Sequence, residues 1–430
     1  MIQELKIMNF LSFKDEVTLS FEASKDTFNE PNQVVEVAPG IRLLRFAILF
    51  GANASGKSNL LNAIEFLNDF WFEVKKDLSE TTGVIPFKLD RFTPNQPSSF
   101  SLKFFVNQTR YWYQLQLDEK KVVSESLHYY KSVQPTMLFE RVWENNISKV
   151  NFNSKVLKVS QVAKEEINIK CLPNMSFFAA RNQVNISLPE IDAAKDWMRK
   201  NMMSVIVPNL NLFRYAEKNM MENNNIKDYL LDFIKKADFN ITNIQSEVIK
   251  QDIPQDFLDI LLKNEDIPVI EKERLKSERK IQKISTEFEH SVINERGIEN
   301  YLLPTNLQSD GTRRIVGIEA AFFNLIENNA FLAIDELESS LHPELLEFVI
   351  QEFLQKRDTR SQLLVTTHYD PLLNLIDDLF RKDSVWFTEK HESGHSDLYS
   401  LVEFKGLSRL SSLQKAYRNG LFGALPKINS

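Results

Sequence analysis

The sequence predicts an α/β fold with a mixed sheet at its core, an antiparallel β meander and an inserted helical subdomain. Three observations support this prediction. A buried strand runs into a glycine-rich loop and then a helix over residues 43–71. Apolar and polar side chains alternate with a period of two over residues 98–152. Short apolar strands alternate with helices after residue 300, which is typical of a parallel sheet.

Composition limits the class of protein and its compartment. The 430 residues are enough for two or three domains, and a hydrophobic content of 43% supplies ample core. The net charge of -7 argues against a protein whose whole surface binds nucleic acid, but it does not exclude a local basic groove. The single cysteine, Cys171, excludes an internal disulfide framework and fits a reducing compartment. We therefore expect a cytoplasmic protein.

Signals for a membrane or a bound metal cluster are weak. Residues 1–6 lack the apolar core of a signal peptide, and no uncharged run reaches the ~18 residues that a membrane helix needs. We therefore expect no membrane partner. The six histidines and the cysteine show no paired metal-ligand spacing.

The N-terminal segment predicts strands that lead up to the glycine-rich loop. Residues 1–22 alternate loosely between apolar and polar side chains and fit two strands with a turn near residues 14–15. Residues 23–40 are loop-like, because proline and glycine punctuate them. The apolar run 43–50 then predicts one buried strand.

Residues 51–58 match the phosphate-loop pattern G-x-x-x-x-G-K-[ST] at every fixed position. Between a strand and a helix, the backbone N–H groups of such a loop and the helix dipole converge on a phosphate. A tight turn would also use two glycines, but it gives no reason for Lys57 and Ser58 to follow. Apolar residues at helical spacing come next: Leu60, Leu61, Ile64, Leu67 and Trp71. The predicted nucleotide-binding residues are Gly51, Asn53, Ser55, Gly56, Lys57, Ser58 and Asn59.

The stretch between this loop and residue 300 changes its pattern twice. An antiparallel meander is predicted over residues 98–152, and its aromatic residues fit core and cross-strand pairs better than a base-stacking platform. Residues 185–300 are polar and mostly helical by pattern. Within them, residues 271–284 are densely charged, which fits a solvated helix face, with a DNA-contacting arm as the alternative.

The other half of a nucleotide site follows the apolar run 331–334. Asp335, at the end of this strand, can hold Mg²⁺ together with the hydroxyl of Ser58. Glu336 is then placed to orient and deprotonate an attacking water. His368 ends a later apolar strand, from which an imidazole can reach a γ-phosphate. Lys57, Glu336 and His368 are therefore the predicted catalytic residues, although an acidic pair after a strand is also common as a surface turn.

A third element lies upstream of the acidic pair, at Ser309-Asp310-Gly311-Thr312. Ser309 and Gly311 stand where a helix N-terminus would present N–H groups to an anion. The alternative is an ordinary N-cap, since Ser309 and Asp310 both cap helices well.

The order and spacing of these motifs resemble the ABC-type ATPase heads. The resemblance supplies a phosphate loop at 51–58, a signature loop at 309–312, a Walker B pair at 335–336, a D-loop within 338–343 and a switch histidine at 368. Residues 5–13 look like the first strand of the SMC, RecF and OLD heads. The C-terminal segments 384–390 and 417–426 are similar to a branch of stand-alone bacterial AAA-family or OLD-like ATPases. That branch includes the ATPase subunits of Rlo-type and PARIS-type phage-defence systems.

Two features depart from the pattern of transporter ATPases. The signature loop has Asp310 in place of a glycine and Thr312 in place of a glutamine, although the bacterial branch commonly has Ser-x-Gly-Thr. The glutamine of the Q-loop has only a weak candidate, Gln96. The absence of a guanine-reading Asn-Lys-x-Asp motif favours ATP as the nucleotide.

The resemblance implies a mechanism that needs two copies of the chain. In ABC-type heads two protomers sandwich two ATP molecules, and the signature serine of one caps the phosphate held by the other. We therefore expect ATP and Mg²⁺ as cofactors, and an ATP-dependent dimer or a larger ring in which Ser309 arrives from another copy. The expected domains are 1–180 and 301–430 as two halves of the ATPase head, with 181–300 as a helical insertion.

The expected function is regulation of a separate effector. The residues after His368 are too few for a further nuclease domain of ~100 residues or more. We therefore expect a defence ATPase that controls a separate protein, such as a nuclease, in response to a phage product. The alternatives are a DNA-maintenance ATPase of the SMC or RecF kind, a subunit of a membrane transporter and a non-enzymatic scaffold.

Overall fold

The computed structural model describes residues 1–237, 240–264 and 267–426, and it divides the chain into two compact units. The first unit consists of Met1–Asn209, Asn324–Ser339 and Leu346–Ser430. The second consists of Leu210–Phe323 and Ser340–Leu345. Over the described residues, the helices are all too short or too polar to cross a membrane.

The strands contribute to four sheets. In chain order they are β1 (Ile2–Met8), β2 (Val17–Ser20), β3 (Val34–Ala38), β4 (Ile41–Leu44), β5 (Phe46–Phe50), β6 (Ser98–Val106), β7 (Thr109–Leu117), β8 (Val122–Tyr130), β9 (Thr136–Glu144), β10 (Ile147–Phe152), β11 (Ile241–Asp252), β12 (Lys280–Asn294), β13 (Gly297–Pro304), β14 (Phe331–Ile334), β15 (Gln362–Thr367), β16 (Val385–Lys390) and β17 (Ser396–Ser400).

The α-helices vary from single turns to eighteen residues. They are α1 (Glu30–Gln33), α2 (Lys57–Phe70), α3 (Gln161–Lys170), α4 (Phe177–Arg181), α5 (Pro189–Asn201), α6 (Leu212–Glu222), α7 (Asn224–Lys236), α8 (Gln255–Lys263), α9 (Val269–Glu278), α10 (Asp310–Glu327), α11 (Pro343–Gln355) and α12 (Leu413–Arg418).

A five-stranded sheet in the order β14-β15-β5-β16-β17 forms the centre of the first unit. β5 pairs in parallel with β15 and β16, β14 pairs in parallel with β15, and β17 runs antiparallel to β16. Every side chain of β5, β14 and β15 is buried, as expected for parallel strands that are covered on both faces. The two ends of the chain therefore build one mixed sheet, as the sequence predicts.

A seven-stranded antiparallel sheet in the order β10-β9-β8-β7-β6-β1-β2 belongs to the same unit. Its five consecutive strands β6–β10 span residues 98–152, so the predicted meander is confirmed with its bounds. The ring of Phe66 in α2 stacks on Phe100 at 5.1 Å, and Trp71 meets the edge of Tyr113 at 5.8 Å. These aromatic residues belong to the core, as predicted.

The second unit contains helices and a sheet. Helices α6 and α7 precede a three-stranded antiparallel sheet in the order β11-β12-β13, and α8 and α9 lie between β11 and β12 in the chain. The prediction that residues 185–300 are mostly helical is therefore wrong for β11, β12 and the first residues of β13. Most side chains of these strands are exposed, so the apolar alternation that marks a half-buried strand is missing. The charged stretch 271–284 is correspondingly part helix and part strand.

Two further differences concern the N-terminal segment and the unit boundaries. The run 43–50 contributes to two strands of different sheets, with Arg45 between β4 and β5. The Arg45 guanidinium donates hydrogen bonds to the carbonyl oxygens of Asn32 and Lys356. The loop-like residues 23–40 include α1 and β3. The predicted insertion boundaries at 181 and 300 differ from those of the second unit, which begins at Leu210 and also includes Ser309.

A buried ion pair joins β8 and β9 inside the meander. The Arg141 Nη1 lies 3.2 Å from the Glu125 Oε2, and both side chains are fully buried. Arg141 also donates to the carbonyl oxygen of Leu172 and to the Ser148 Oγ, and Tyr113 donates to Glu125. Each charge is therefore compensated by its partner and by neutral hydrogen bonds, which is the condition for retaining ions in a core.

We expect Arg141→Met to destabilise the protein strongly. It leaves the Glu125 carboxylate buried without its counter-ion, which costs about 3–5 kcal/mol. The midpoint of thermal unfolding should fall by about 3–8 °C, since the shift becomes smaller as the cooperative unit becomes larger. Lys200→Ala is the control, because it removes an exposed pair with Asp196 whose atoms are 3.7 Å apart. Equal midpoints for the two variants would contradict the assignment.

Candidate nucleotide site

Four chain segments converge at one edge of the central sheet, because β5, β14, β15 and β16 run in parallel. Their C-terminal ends lead to the phosphate loop, Asp335, His368 and the turn after Lys390. Ligands of open α/β sheets bind at this edge. A cavity of about 600 Å³ lies there, lined by Ser12, Asn53, Ala54, Ser55, Gly56, Lys57, Ser58, Asn59, Glu336, His368 and Lys390.

Two glycines allow the tight path of the phosphate loop. Gly56 has φ +120°, and a Cβ there would lie 2.8 Å from the Ser396 Oγ and 3.2 Å from the Ser12 Oγ. A Cβ on Gly51 would lie 2.5 Å from the Ser55 Oγ and 2.6 Å from the Thr388 Oγ1 of β16. Larger residues at either position would therefore force the loop away from the strands and segments that support it.

Lys57 begins helix α2 and is buried against the loop. Its Nζ donates to the carbonyl oxygens of Gly51 at 2.8 Å and Ala52 at 3.1 Å. Burial lowers the pKa of the ammonium group, and the carboxylates of Asp335 and Glu336 oppose this shift. The loop thus holds a cation in a concave site with carboxylates near it.

Ser58 and Asp335 form the oxygen pair that the sequence assigns to Mg²⁺. The Ser58 Oγ donates to the Asp335 Oδ2 at 2.7 Å, and the Thr366 Oγ1 donates to the Asp335 Oδ1 at 2.5 Å. Thr366 belongs to β15, which lies between β5 and β14 in the sheet. A hydroxyl and a carboxylate are the hard oxygen ligands that Mg²⁺ prefers, so the donor set fits this ion.

Glu336 lines the cavity in an unusual backbone conformation. Its φ is +48°, in the left-handed region that costs a residue other than glycine about 1–3 kcal/mol. Backbone hydrogen bonds hold the turn on both sides, because the Glu336 N–H donates to the Thr366 Oγ1 and the Leu337 N–H donates to the Thr366 carbonyl oxygen. The strained turn directs the carboxylate into the cavity that contains Lys57.

Glu338, which the resemblance places only within the D-loop, is also a site residue. Its Oε1 lies 3.0 Å from the His368 Nδ1 and accepts the His368 backbone N–H at 2.8 Å. The Glu338 side chain is 12% exposed, whereas that of His368 is 53% exposed. A shielded carboxylate therefore fixes both the backbone and the ring of a histidine that borders the cavity. Only the strand order that places β14 beside β15 reveals this contact.

The C-terminal tail also contacts the phosphate loop. The Ala52 N–H donates to the Ala424 carbonyl oxygen at 2.9 Å, and the Tyr417 hydroxyl donates to the same oxygen at 3.0 Å. The Thr388 Oγ1 of β16 lies 2.7 Å from the Ser55 Oγ. The sequence identifies this tail only through its similarity to a branch of bacterial ATPases. In the structure, the tail supports the loop directly. The signal available in the sequence was the aromatic and glycine pattern of residues 417–426.

Three predicted residues lie elsewhere in the chain. Ser309 and Gly311 belong to the second unit, whereas the residues around the cavity belong to the first. The Ser309 Oγ accepts the Thr312 N–H at 3.0 Å, so Ser309 caps helix α10. Gln96 is exposed, and its carbonyl oxygen accepts a hydrogen bond from Asn9.

Fold and site together define a class of protein, the P-loop ATPases. A buried strand enters a glycine loop, a helix begins with Lys57-Ser58, and a carboxylate from a second parallel strand meets Ser58. The family model described as "AAA domain, putative AbiEii toxin, Type IV TA system" matches residues 46–375. The chain belongs to this AAA-domain family.

Solved structures with some similarity include heads of SMC proteins. The SMC head domain from Thermotoga maritima has a TM-score of 0.40 at 13% identity, covering 93% of this chain and 98% of its own. The Smc head bound to the C-winged helix domain of ScpA has a TM-score of 0.41 at 13% identity, covering 96% and 99%. The Smc head with an extended coiled coil, in a complex derived from Pyrococcus furiosus, has a TM-score of 0.41 at 12% identity, covering 97% and 98%. No curated protein matches the sequence at a significant level.

We expect Glu338 to act through His368. Glu338→Ala should lower kcat for ATP hydrolysis about 10-fold with little change in KM, since it frees the ring and backbone of His368. Adding Glu338→Ala to His368→Ala should cause little further loss, because Glu338 acts on turnover only through the ring that His368→Ala removes. Steady-state kinetics of the two single variants and the double variant measure this coupling. Fully additive losses would show that the two residues act independently.

Proposed function

We propose that this chain is the ATP-hydrolysing regulatory subunit of a bacterial anti-phage defence system and controls a separate effector protein, such as a nuclease. One observation carries the enzymatic part of the proposal. Lys57, Ser58, Glu336 and His368 line a single cavity, and Asp335 hydrogen-bonds to Ser58 at its margin. This is the set of side chains that phosphoryl transfer to water requires.

Each residue of the cavity has a proposed task. Lys57 and the loop N–H groups bind the phosphates, and Ser58 with Asp335 holds Mg²⁺. The bound ion would neutralise charge that develops on the phosphate oxygens. Glu336 orients a water and accepts its proton, and the strained turn keeps the carboxylate aimed into the cavity. His368, fixed by Glu338, contacts the terminal phosphate.

Turnover is proposed to require two copies of the chain. Ser309 caps α10 at the start of that helix, where N–H groups and the helix dipole favour an anion. In an ATP-bound dimer, Ser309 and Gly311 of one copy would approach the phosphate held by the loop of the other. Larger rings of such dimers fit the same scheme.

The regulatory role rests on the family and on the chain's own chemistry. The family description names a toxin of a type IV toxin–antitoxin system, which agrees with a defence function. The described residues around the cavity suit the binding and hydrolysis of ATP. We therefore assign the toxic activity to a separate partner protein. ATP-dependent dimerisation would hold or release that partner when a phage product is present.

The second candidate is a DNA-maintenance ATPase that binds duplex DNA. Its support is the charged stretch 271–284 in the second unit. Part of that charge is neutralised locally, because Arg274 pairs with Glu271 at 2.5 Å and Lys280 lies 3.9 Å from Asp252. This pairing favours a solvated face. DNA binding that weakens steeply with salt and stimulates hydrolysis would favour the second candidate.

We expect Glu336→Gln to bind ATP but to lose hydrolysis by about 10²–10⁴-fold, since the amide cannot accept the proton of water. The variant should accumulate as an ATP-bound dimer. Light scattering with ATP and Mg²⁺ measures the mass, and phosphate release measures turnover. Lys57→Ala is the matched control, because loss of the loop cation should abolish ATP binding and leave a monomer. Wild-type turnover in Glu336→Gln would refute the general-base role.

Variants of Ser309 separate the shared site from simple capping in the same assays. Ser309→Arg should bind ATP normally yet lose turnover and dimerisation, but it also removes the N-cap of α10. Ser309→Asp retains the capping oxygen and places a carboxylate where the partner's phosphate would lie. Both variants should therefore fail in turnover, with Ser309→Asp unfolding at the wild-type temperature. Retained turnover in either would argue against a shared site.

The regulatory part is tested by co-purification with the product of the neighbouring gene. The expected result is a complex whose mass changes with ATP and whose nuclease activity resides in the partner. Cleavage of DNA or RNA by the purified chain alone, lost in Glu336→Gln, would contradict the proposal that a separate protein carries the nuclease activity.

A further inference from the structure

A second cluster of ligand-type side chains lies at the turn of the hairpin formed by β16 and β17. The Nε2 of His391 is 2.7 Å from the Asp397 Oδ2, and the Nε2 of His395 is 3.9 Å from the Asp397 Oδ1. One donor atom from each of the three residues lies within 4.8 Å of the other two. The two imidazole rings stack with their centroids 4.5 Å apart.

Strand register explains why these residues meet. Lys390 pairs with Ser396, and the His391 N–H donates to the His395 carbonyl oxygen at 2.9 Å, so His391 and His395 are opposed across the turn. Asp397 follows His395 by two residues and therefore shares its face of the hairpin. His391 and His395 are separated by three residues, which is within the spacing of histidine ligands in metal sites, but no cysteine pair accompanies them in the sequence. The interpretation that the histidines show no paired metal-ligand spacing is therefore incomplete for this turn.

The turn holds the donors in place. Gly394 has φ +83°, and a Cβ there would lie 2.4 Å from the Leu89 Cδ1, so the loop packs closely against Leu89. The Ser393 Oγ lies 2.6 Å from the His395 Nδ1. A hydrogen bond at Nδ1 leaves Nε2 to serve as the ligand, which is the usual outer-shell arrangement of metal-binding histidines.

We propose that His391, His395 and Asp397 form a site for a divalent transition metal, with Zn²⁺ as the best match. Two imidazoles and one carboxylate are a common protein ligand set for Zn²⁺, and water would supply the fourth ligand. Tetrahedral coordination at ~2.0–2.2 Å needs donors about 3.4 Å apart. Side-chain shifts of about 1 Å bring the three donor atoms to that spacing.

The site is separate from the Mg²⁺ position predicted at Ser58 and Asp335, but the same hairpin borders the nucleotide cavity. Lys390 lines that cavity, and the Ser396 N–H donates to the Ser12 carbonyl oxygen at 2.8 Å. Lys390 and Ser396 alternate with the three ligands along the strands and so occupy the opposite face. A metal bound on one face would therefore stabilise the hairpin whose other face lines the nucleotide site. Metal binding itself does not depend on the proposed function.

Cobalt substitution tests the site without any assay of activity. The chelator-treated full chain, free of nucleotide, should bind one Co²⁺ with the visible absorption bands of a low-coordinate nitrogen and oxygen site, and Zn²⁺ should displace it. The double variant His391→Ala/His395→Ala should lose these bands. Ser393→Ala should weaken Zn²⁺ binding about 10-fold or more, as measured by calorimetry, because it removes the hydrogen bond to the His395 Nδ1.

Glu392→Gln is the matched control, since it alters an exposed carboxylate of the same turn that is outside the cluster. It should retain both the spectrum and the affinity. Thermal unfolding of each variant without metal verifies that the hairpin is intact. Bands that persist in the double variant, or wild-type binding no tighter than in that variant, would overturn the proposal and leave only a hydrogen-bonded histidine–aspartate cluster.

Discussion

Parallel pairing of β5 with strands from the far end of the chain is the constraint on which the nucleotide site depends. β5 contacts β15 on one side and β16 on the other, and β15 in turn carries β14. Parallel strands end at one edge, so the phosphate loop, Asp335, His368 and Lys390 must meet there. A different strand order would leave Lys57 without the carboxylates around it. The buried side chains of these strands thus supply stability and also fix the geometry of the cavity.

Thr366 shows how a single strand can connect two motifs. It lies on β15, between the strand before the phosphate loop and the strand before Asp335. Its hydroxyl donates to Asp335 and accepts the N–H of Glu336, so one side chain orients one carboxylate and holds the strained turn of the other. The strain at Glu336 persists because hydrogen bonds on both sides over-determine that backbone.

The fold of the first unit is predictable from the sequence wherever apolar and polar side chains alternate with a regular period. The meander alternates at most positions because one of its faces is buried, and its bounds are therefore predictable over residues 98–152. Strands β11–β13 have few buried positions, so their polar sequence predicts helix instead. The motif residues of the cavity were predictable because fixed spacing in the chain identifies them. Glu338, Thr366 and Ala424 were not, since each acts through a neighbour that only the strand order or the folded tail provides.

The hairpin of β16 and β17 illustrates how one element can serve two chemistries. Side chains of a strand alternate between faces, so ligands at 391, 395 and 397 leave Lys390 and Ser396 directed to the phosphate loop. Gly56 tolerates no side chain because Ser396 is so close to it. A displacement of the hairpin would therefore also displace the phosphate loop. The Ala424 carbonyl oxygen and Thr388 hold the same loop from the C-terminal side. The loop that binds phosphate is consequently shaped by the last strands of the chain as much as by its own sequence.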